Sequence, residues 1–138
     1  MQQFELYEKS LEFALNEYQI EPESTDNINL VGQLYLNIDS TDKAIYYFSR
    51  SITLAPKDYL THYLRANAYM IKDEKELAYK DFSSCLSLNP NFEDALIEKI
   101  KVGNQLRKTD VCKDIDKLRQ INLEIESDII RIKETECR

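Results

Sequence analysis

Apolar and polar positions along this chain alternate with the spacing of helix faces. Tyr7, Leu11, Ala14, Leu15 and Tyr18 recur at intervals of three and four, which predicts a helix over Phe4–Ile20 ending before Pro22. Ile28, Val31 and Tyr35 keep one face within Ile28–Leu36, and Ala44, Ile45, Phe48, Ile52 and Leu54 keep another. Between them, Asp39-Ser40-Thr41-Asp42 supplies short polar side chains that break the first helix and cap the second. Pro56 closes the pair, because proline disfavours helical geometry in the residue before it. Asp58 is then the expected N-cap of a helix over Tyr59–Ile71. Further helices are expected over Phe92–Leu106 with Asn91 as cap, over Asp110–Ile121, and over Ile125–Glu136, where Ile125, Ile129, Ile130 and Ile132 alternate with charges.

The pattern repeats. Pro22, Pro56 and Pro90 lie 34 residues apart, and a shift of 34 sets Tyr35 on Tyr69, Ala44 on Ala78, Phe48 on Phe82, Ile52 on Leu86 and Leu54 on Leu88. The unit is a helical hairpin that cannot bury its apolar face alone, so neighbouring copies must stack. These residues resemble the tetratricopeptide repeat, whose pattern runs W-x2-L-G-x2-Y, A-x3-F and P at this period. One copy shows Val31-Gly32-x2-Tyr35, Ala44-x3-Phe48 and Pro56; the next shows Ala66-x2-Tyr69, Ala78-x3-Phe82 and Pro90. Ile28 and His62 replace the opening aromatic, and a third copy is eroded, with Ile100 for the glycine, Gly103 for the tyrosine and Cys112 for the alanine. Gly32 and Ala66 are small where two helices must approach, and Tyr35, Phe48, Tyr69 and Phe82 fill the space around them.

The resemblance implies an all-α, right-handed α-solenoid of helical hairpins with a C-terminal capping helix. Its expected parts are a half repeat over 1–23, repeats over 24–57 and 58–91, a degenerate repeat over 92–122 and the cap over 123–138, all in one domain. Composition agrees: two glycines and three prolines in 138 residues are too few for the turns of a β-rich fold. With 18 basic against 25 acidic residues the net charge is −7, which argues against a nucleic-acid partner. No apolar run approaches the ~20 residues that cross a bilayer, so membrane insertion is not expected. Met1-Gln2-Gln3-Phe4-Glu5 lacks the basic start and apolar stretch of a signal peptide. The expected compartment is therefore the cytoplasm, or a secreted or periplasmic location if a signal has been removed.

Catalytic chemistry finds little material. The single histidine, His62, stands where the repeat packs an aromatic and is read as a packing residue. There is no Gly-rich phosphate loop, no G-x-S-x-G, no H-E-x-x-H and no C-x-x-C, so neither an enzyme, a cofactor nor a metal centre is expected. Cys85 reads as an inert core thiol. If the last two helices form an antiparallel hairpin turning near Leu123-Glu124, Cys112 faces Cys137, and the pair is either a disulfide or two reduced thiols.

In the family, the first helices of the hairpins line a concave face that holds an extended peptide or a partner helix. The resemblance carries that role to Asp26, Asn29, Gln33, Leu36 and Asn37, to Tyr63, Asn67, Met70 and Ile71, and to Asp94, Ile97, Glu98, Lys101 and Asn104. Amide side chains there can bond a peptide backbone, and Tyr63, Met70 and Ile71 offer an apolar patch. One subfamily grips acidic chaperone C-termini with lysines, arginine and asparagines; here only Asn67 fits that set, Asn29 stands where a lysine is wanted, and Glu98 repels a carboxylate. The expected function is a non-catalytic scaffold for a protein or peptide partner. The alternative is self-association, end to end, through Tyr7, Leu11 and Tyr18, which the half repeat leaves uncovered on one flank.

Overall fold

The computed structural model describes residues 1–122 and 124–137. Among them are eight helices and no strand: α1 (Gln2–Ile20), α2 (Thr25–Asn37), α3 (Thr41–Leu54), α4 (Tyr59–Ile71), α5 (Lys75–Leu88), α6 (Glu93–Gln105), α7 (Val111–Ile121) and α8 (Ser127–Glu136). Each helix packs on the next, and α8 packs on both α6 and α7, so the chain is a solenoid of helical hairpins. The pairs α2–α3, α4–α5 and α6–α7 are the hairpins; α1 precedes them and α8 closes the array. The expected turn at Leu123-Glu124 and the outer bounds of the cap at 123 and 138 fall on residues outside the described set.

Two turns, each recurring, make this architecture. After a second helix, the chain turns through Glu21-Pro22-Glu23-Ser24, Ala55-Pro56-Lys57-Asp58 or Asn89-Pro90-Asn91-Phe92, and the fourth N–H bonds the first carbonyl at 3.1–3.2 Å. Proline stands second in each, where its fixed φ suits a β-turn and its missing N–H leaves no donor unpaired. Within each hairpin, the first helix ends on a left-handed residue: Asp39 (φ 59°), Asp73 (φ 58°) and Arg107 (φ 55°), again spaced by the repeat. Both bonds of a Schellman cap form each time, as in Asp39 N–H to Leu36 O and Ser40 N–H to Tyr35 O at 3.1 and 2.8 Å. Aspartate tolerates that conformation; arginine carries the full steric penalty. An Arg107→Gly variant is therefore expected to gain about 0.5–1 kcal/mol in chemical denaturation.

Several expected boundaries shift. The first helix begins at Gln2, earlier than Phe4. Asp58 caps α4 through Leu60 N–H, as expected, but Asn91 does not cap α6. Phe92 occupies that cap position with extended backbone, because its ring is held against Tyr59 and Tyr63 at centroid distances of 5.2 and 5.0 Å. Asp110 stands at the N-cap position of α7, ahead of the helix, but makes no side-chain cap bond; its carboxylate is taken by Tyr79 and Lys99. The last helix starts at Ser127, with Ile125 packed on the core ahead of it.

The core forms two clusters. The smaller gathers Leu11, Ala14, Val31, Tyr35, Ala44 and Phe48; the larger runs from Ala66, Ala78 and Phe82 through Leu96 and Ile100 to Ile115 and Ile129. Gly32 shows why a small residue belongs in the first helix: a Cβ there would lie 2.6 Å from the buried Phe48 ring. At Gly103 the neighbouring Tyr79 ring and Val111 occupy the equivalent space, which accounts for the missing tyrosine of the eroded copy. Leu11 is buried, and Tyr7 and Tyr18 are half-buried against this core. The flank expected to be uncovered is thus the one α2 covers, since α2 follows α1 directly and seals it.

Candidate functional site

The first helices α2, α4 and α6 carry the residues assigned to the concave face. Asn29 on α2 donates its amide N–H to Thr61 Oγ1 on α4 at 2.7 Å, and Thr61 donates in turn to Asp58. That chain of bonds joins two neighbouring first helices edge to edge. Gln33, Asn37 and Ile71 face solvent, with Leu36 and Asn67 half-buried between them and the core. Tyr63, Met70 and Ile97 are half-buried against the larger cluster. The apolar patch expected from Tyr63, Met70 and Ile71 is therefore mostly engaged, because Phe92 inserts edge-on against Tyr63.

Charge on this face is acidic. Asp26 and Asp94 are exposed. Lys101 Nζ lies 2.7 Å from Glu126 and 3.7 Å from Glu98, and the Glu126 carboxylate holds its ammonium above the ordinary lysine pKa. The one groove cation assigned from sequence is thus neutralised within the chain. Asn104 is half-buried near the end of α6.

Two charge networks were not anticipated. The repeat position filled by Val31 is filled by Arg65 in the next copy and Lys99 in the one after. Arg65 grips Asp81 of α5 through two bonds of 2.7 and 2.8 Å and donates to Ser49 at 3.0 Å, and the Asp81 bonds lift its pKa further. Lys99 reaches Asp114 at 2.7 Å and Asp110 at 2.9 Å. Burial pulls the Lys99 ammonium down, but the bonds to Asp114 and Asp110 outweigh it and raise the pKa to about 12. Burial, then the bond to Asp110, pushes the Tyr79 phenol to about 12. In each case a cation replaces an apolar contact inside a hairpin and finds its acid in the hairpin's second half: Asp81 on α5 for Arg65, and Asp114 on α7 with Asp110 just ahead of it for Lys99. The switch from valine to arginine to lysine at one register position was the visible signal.

The remaining candidates are structural. His62 is nearly buried, with Nε2 3.2 Å from the Pro56 carbonyl and Nδ1 3.6 Å from Asp81. Cys85 is buried and free, its thiol pushed to about 12 by burial and then by Asp58. A disulfide joins Cys112 to Cys137, with Cα atoms 5.5 Å apart, and ties the end of α8 to the start of α7. Near the start of α8, Ile129 is fully buried, and Lys133 pairs with Asp116 of α7. Among the described residues no three His, Cys, Asp or Glu side chains gather as a metal ion requires, and no helix is long and apolar enough to cross a membrane.

Residues 26–58 and 60–92 each match the tetratricopeptide repeat family. The middle of the chain is two tetratricopeptide repeats. The chain is 30% identical over 87 residues to the tetratricopeptide repeat and J domain-containing co-chaperone DNJ1 of Fusarium oxysporum f. sp. lycopersici, a stretch that covers 63% of this chain and 17% of that protein. Solved tetratricopeptide-repeat structures share the fold. MamA superposes with a TM-score of 0.77 at 18% identity over 85% of this chain and 69% of that one. The first such domain of Spaghetti (RPAP3), bound to the HSP90 peptide SRMEEVD, gives 0.74 at 17% identity over 83% and 94%. YrrB, which has an unusual peptide-binding site, gives 0.77 at 14% identity over 94% and 67%.

Proposed function

We propose that this tetratricopeptide-repeat chain is a non-catalytic scaffold whose concave face takes an uncharged or basic segment of a partner protein. The observation that carries this reading is the state of Lys101: paired to Glu126 and close to Glu98, it leaves the exposed acids Asp26 and Asp94 to set the charge of the face. Gln33, Asn37 and Asn67 supply amides for a partner's backbone, and Ile71 supplies an exposed apolar contact. Spaghetti binds an acidic chaperone peptide on the same fold; here such a peptide would meet carboxylates and no free lysine clamp.

Two titrations test this. The peptide SRMEEVD is expected to show no saturable binding in calorimetry. A partner recovered with the wild-type chain is expected to bind a Gln33→Ala/Asn67→Ala/Ile71→Ala variant at least about tenfold more weakly. Tight binding of the acidic peptide, or full retention of the partner by the variant, overturns the reading.

A further inference from the structure

The solvent side of α1 carries a second apolar stripe, distinct from the one that packs on α2. Leu6, Phe13 and Ile20 are 61%, 64% and 73% exposed, and they recur at intervals of seven residues, so they share one helix face. Beside Phe13 an open groove of about 510 Å³ runs between α1 and α2, lined by Lys9, Ser10, Phe13, Leu30 and Leu34.

The internal repeat says what shape this groove fits. One period on, its lining becomes Lys43, Ala44, Tyr47, Leu64 and Ala68. Those residues hold α2 itself. Tyr47 stacks on Tyr35 of α2 at 5.5 Å, and Lys43 Nζ lies 5.2 Å from the same ring centroid. Ala44 and Ala68 are fully buried in the cluster that contains Val31 and Tyr35, and Leu64 packs against it. The groove is therefore the place a hairpin's first helix takes, and a helix lying there runs antiparallel to α1, as α2 does to α3.

We propose that this place is taken by α1 of a second copy of this chain, giving a twofold dimer. The stripe is self-complementary in that direction. Leu6 and Ile20 each stand seven residues from Phe13, so an axis through Phe13 sets Phe13 against its own equivalent and Leu6 against Ile20 of the other copy. Lys9 and Asn16 flank the stripe on one side, Ser10 and Glu17 on the other. The twofold turns each flank onto itself, so the Lys9 ammonium meets the Asn16 amide and the Ser10 hydroxyl meets the Glu17 carboxylate, with no like charges directly opposed. Each α1 then lies between α1 and α2 of the other copy, and Phe13 fills the groove beside Leu30 and Leu34.

Sedimentation velocity on the full chain, from micromolar to submillimolar concentration, tests the proposal. The wild type is expected to shift to twice the monomer mass. Phe13→Glu, and separately Ile20→Lys, are expected to weaken association about thirtyfold or more with unchanged circular dichroism, since both side chains lie outside the core. Under oxidation Phe13→Cys is expected to cross-link to itself, and Leu6→Cys only when mixed with Ile20→Cys. The Gln33→Ala/Asn67→Ala/Ile71→Ala variant is expected to dimerise normally, which separates this surface from the concave face. A wild type that stays monomeric at submillimolar concentration overturns the proposal, including the case in which an unrelated helix uses the groove. A dimer indifferent to both α1 substitutions, or lacking the residue-13 cross-link, also overturns it.

Discussion

A Phe48→Ala variant is expected to lose about 3–5 kcal/mol of unfolding free energy, the range for truncating a fully buried aromatic. Phe48 is fully buried in the smaller core cluster, where α1, α2, α3 and α4 all contribute side chains. The loss comes from transfer of the ring to water plus a cavity that rigid neighbouring helices cannot close. A double-mutant cycle sharpens the test. In the wild type, Gly32→Ala drives a methyl to within 2.6 Å of the Phe48 ring and is expected to destabilise, despite alanine's better helix propensity of about 1 kcal/mol. In the Phe48→Ala background the same change is expected to be neutral or stabilising, because the obstructing ring is gone. A coupling of about 1–3 kcal/mol between the two sites in urea denaturation is the expected result. Additive effects would mean that Gly32 is small for some reason other than this ring.

The second large effect is at Lys99. It is nearly buried, and its ammonium bonds both Asp110 and Asp114. Lys99→Met keeps the stem volume but leaves two neighbouring carboxylates without their cation. Removing one partner of a buried pair costs about 3–5 kcal/mol, and because the Asp110 side chain is 42% exposed the lower end is expected here. Adding Asp114→Leu to Lys99→Met is expected to recover much of the loss, since the second change removes a stranded charge.

The pH profile distinguishes this electrostatic account from lost packing. Lys99 titrates at about 12 in the folded chain, above the ordinary 10.5, so its contribution is fully present below about pH 10 and is lost as pH rises through 12. Burial works against the Asp110 carboxylate, but the bonds from Tyr79 and Lys99 hold its pKa below the ordinary 3.8. Its contribution is therefore present above that value and is lost as pH falls through its folded pKa. The stability gap between wild type and Lys99→Met is thus expected to be flat from about pH 5 to pH 9 and to narrow below pH 4. A gap that persists unchanged into acid would assign the loss to packing alone.

Helical hairpins, their number and their 34-residue period were all legible in the sequence, because each rests on local rules. Apolar spacing sets a helix face, proline in second place sets a turn, and Gly32 marks a close approach. The neighbours of side chains that leave the pattern were less legible. Phe92 looked like the first residue of a helix, and only the packing of Tyr59 and Tyr63 around its ring made it a cap. Arg65 and Lys99 broke an apolar register, but which acids answer them depends on Asp81 and Asp114 arriving from the second helix of the hairpin and on Asp110 just ahead of α7.

The same division holds for the surfaces. Tyr63, Met70 and Lys101 were placed correctly on first helices, yet what remains of each for a partner is decided by Phe92, the larger core cluster and Glu126. On α1, periodicity picked out the Tyr7–Leu11–Tyr18 stripe, while Leu6, Phe13 and Ile20 keep a seven-residue spacing that stood out only once their exposure was known. The stacking of α2 chose the first for the core and left the second in solvent. Sequence by itself determined the repeating unit, since hairpin formation is a matter of spacing within one stretch of chain. Tertiary structure decided which charges are paired and which faces stay open, since those depend on groups tens of residues apart competing for the same space.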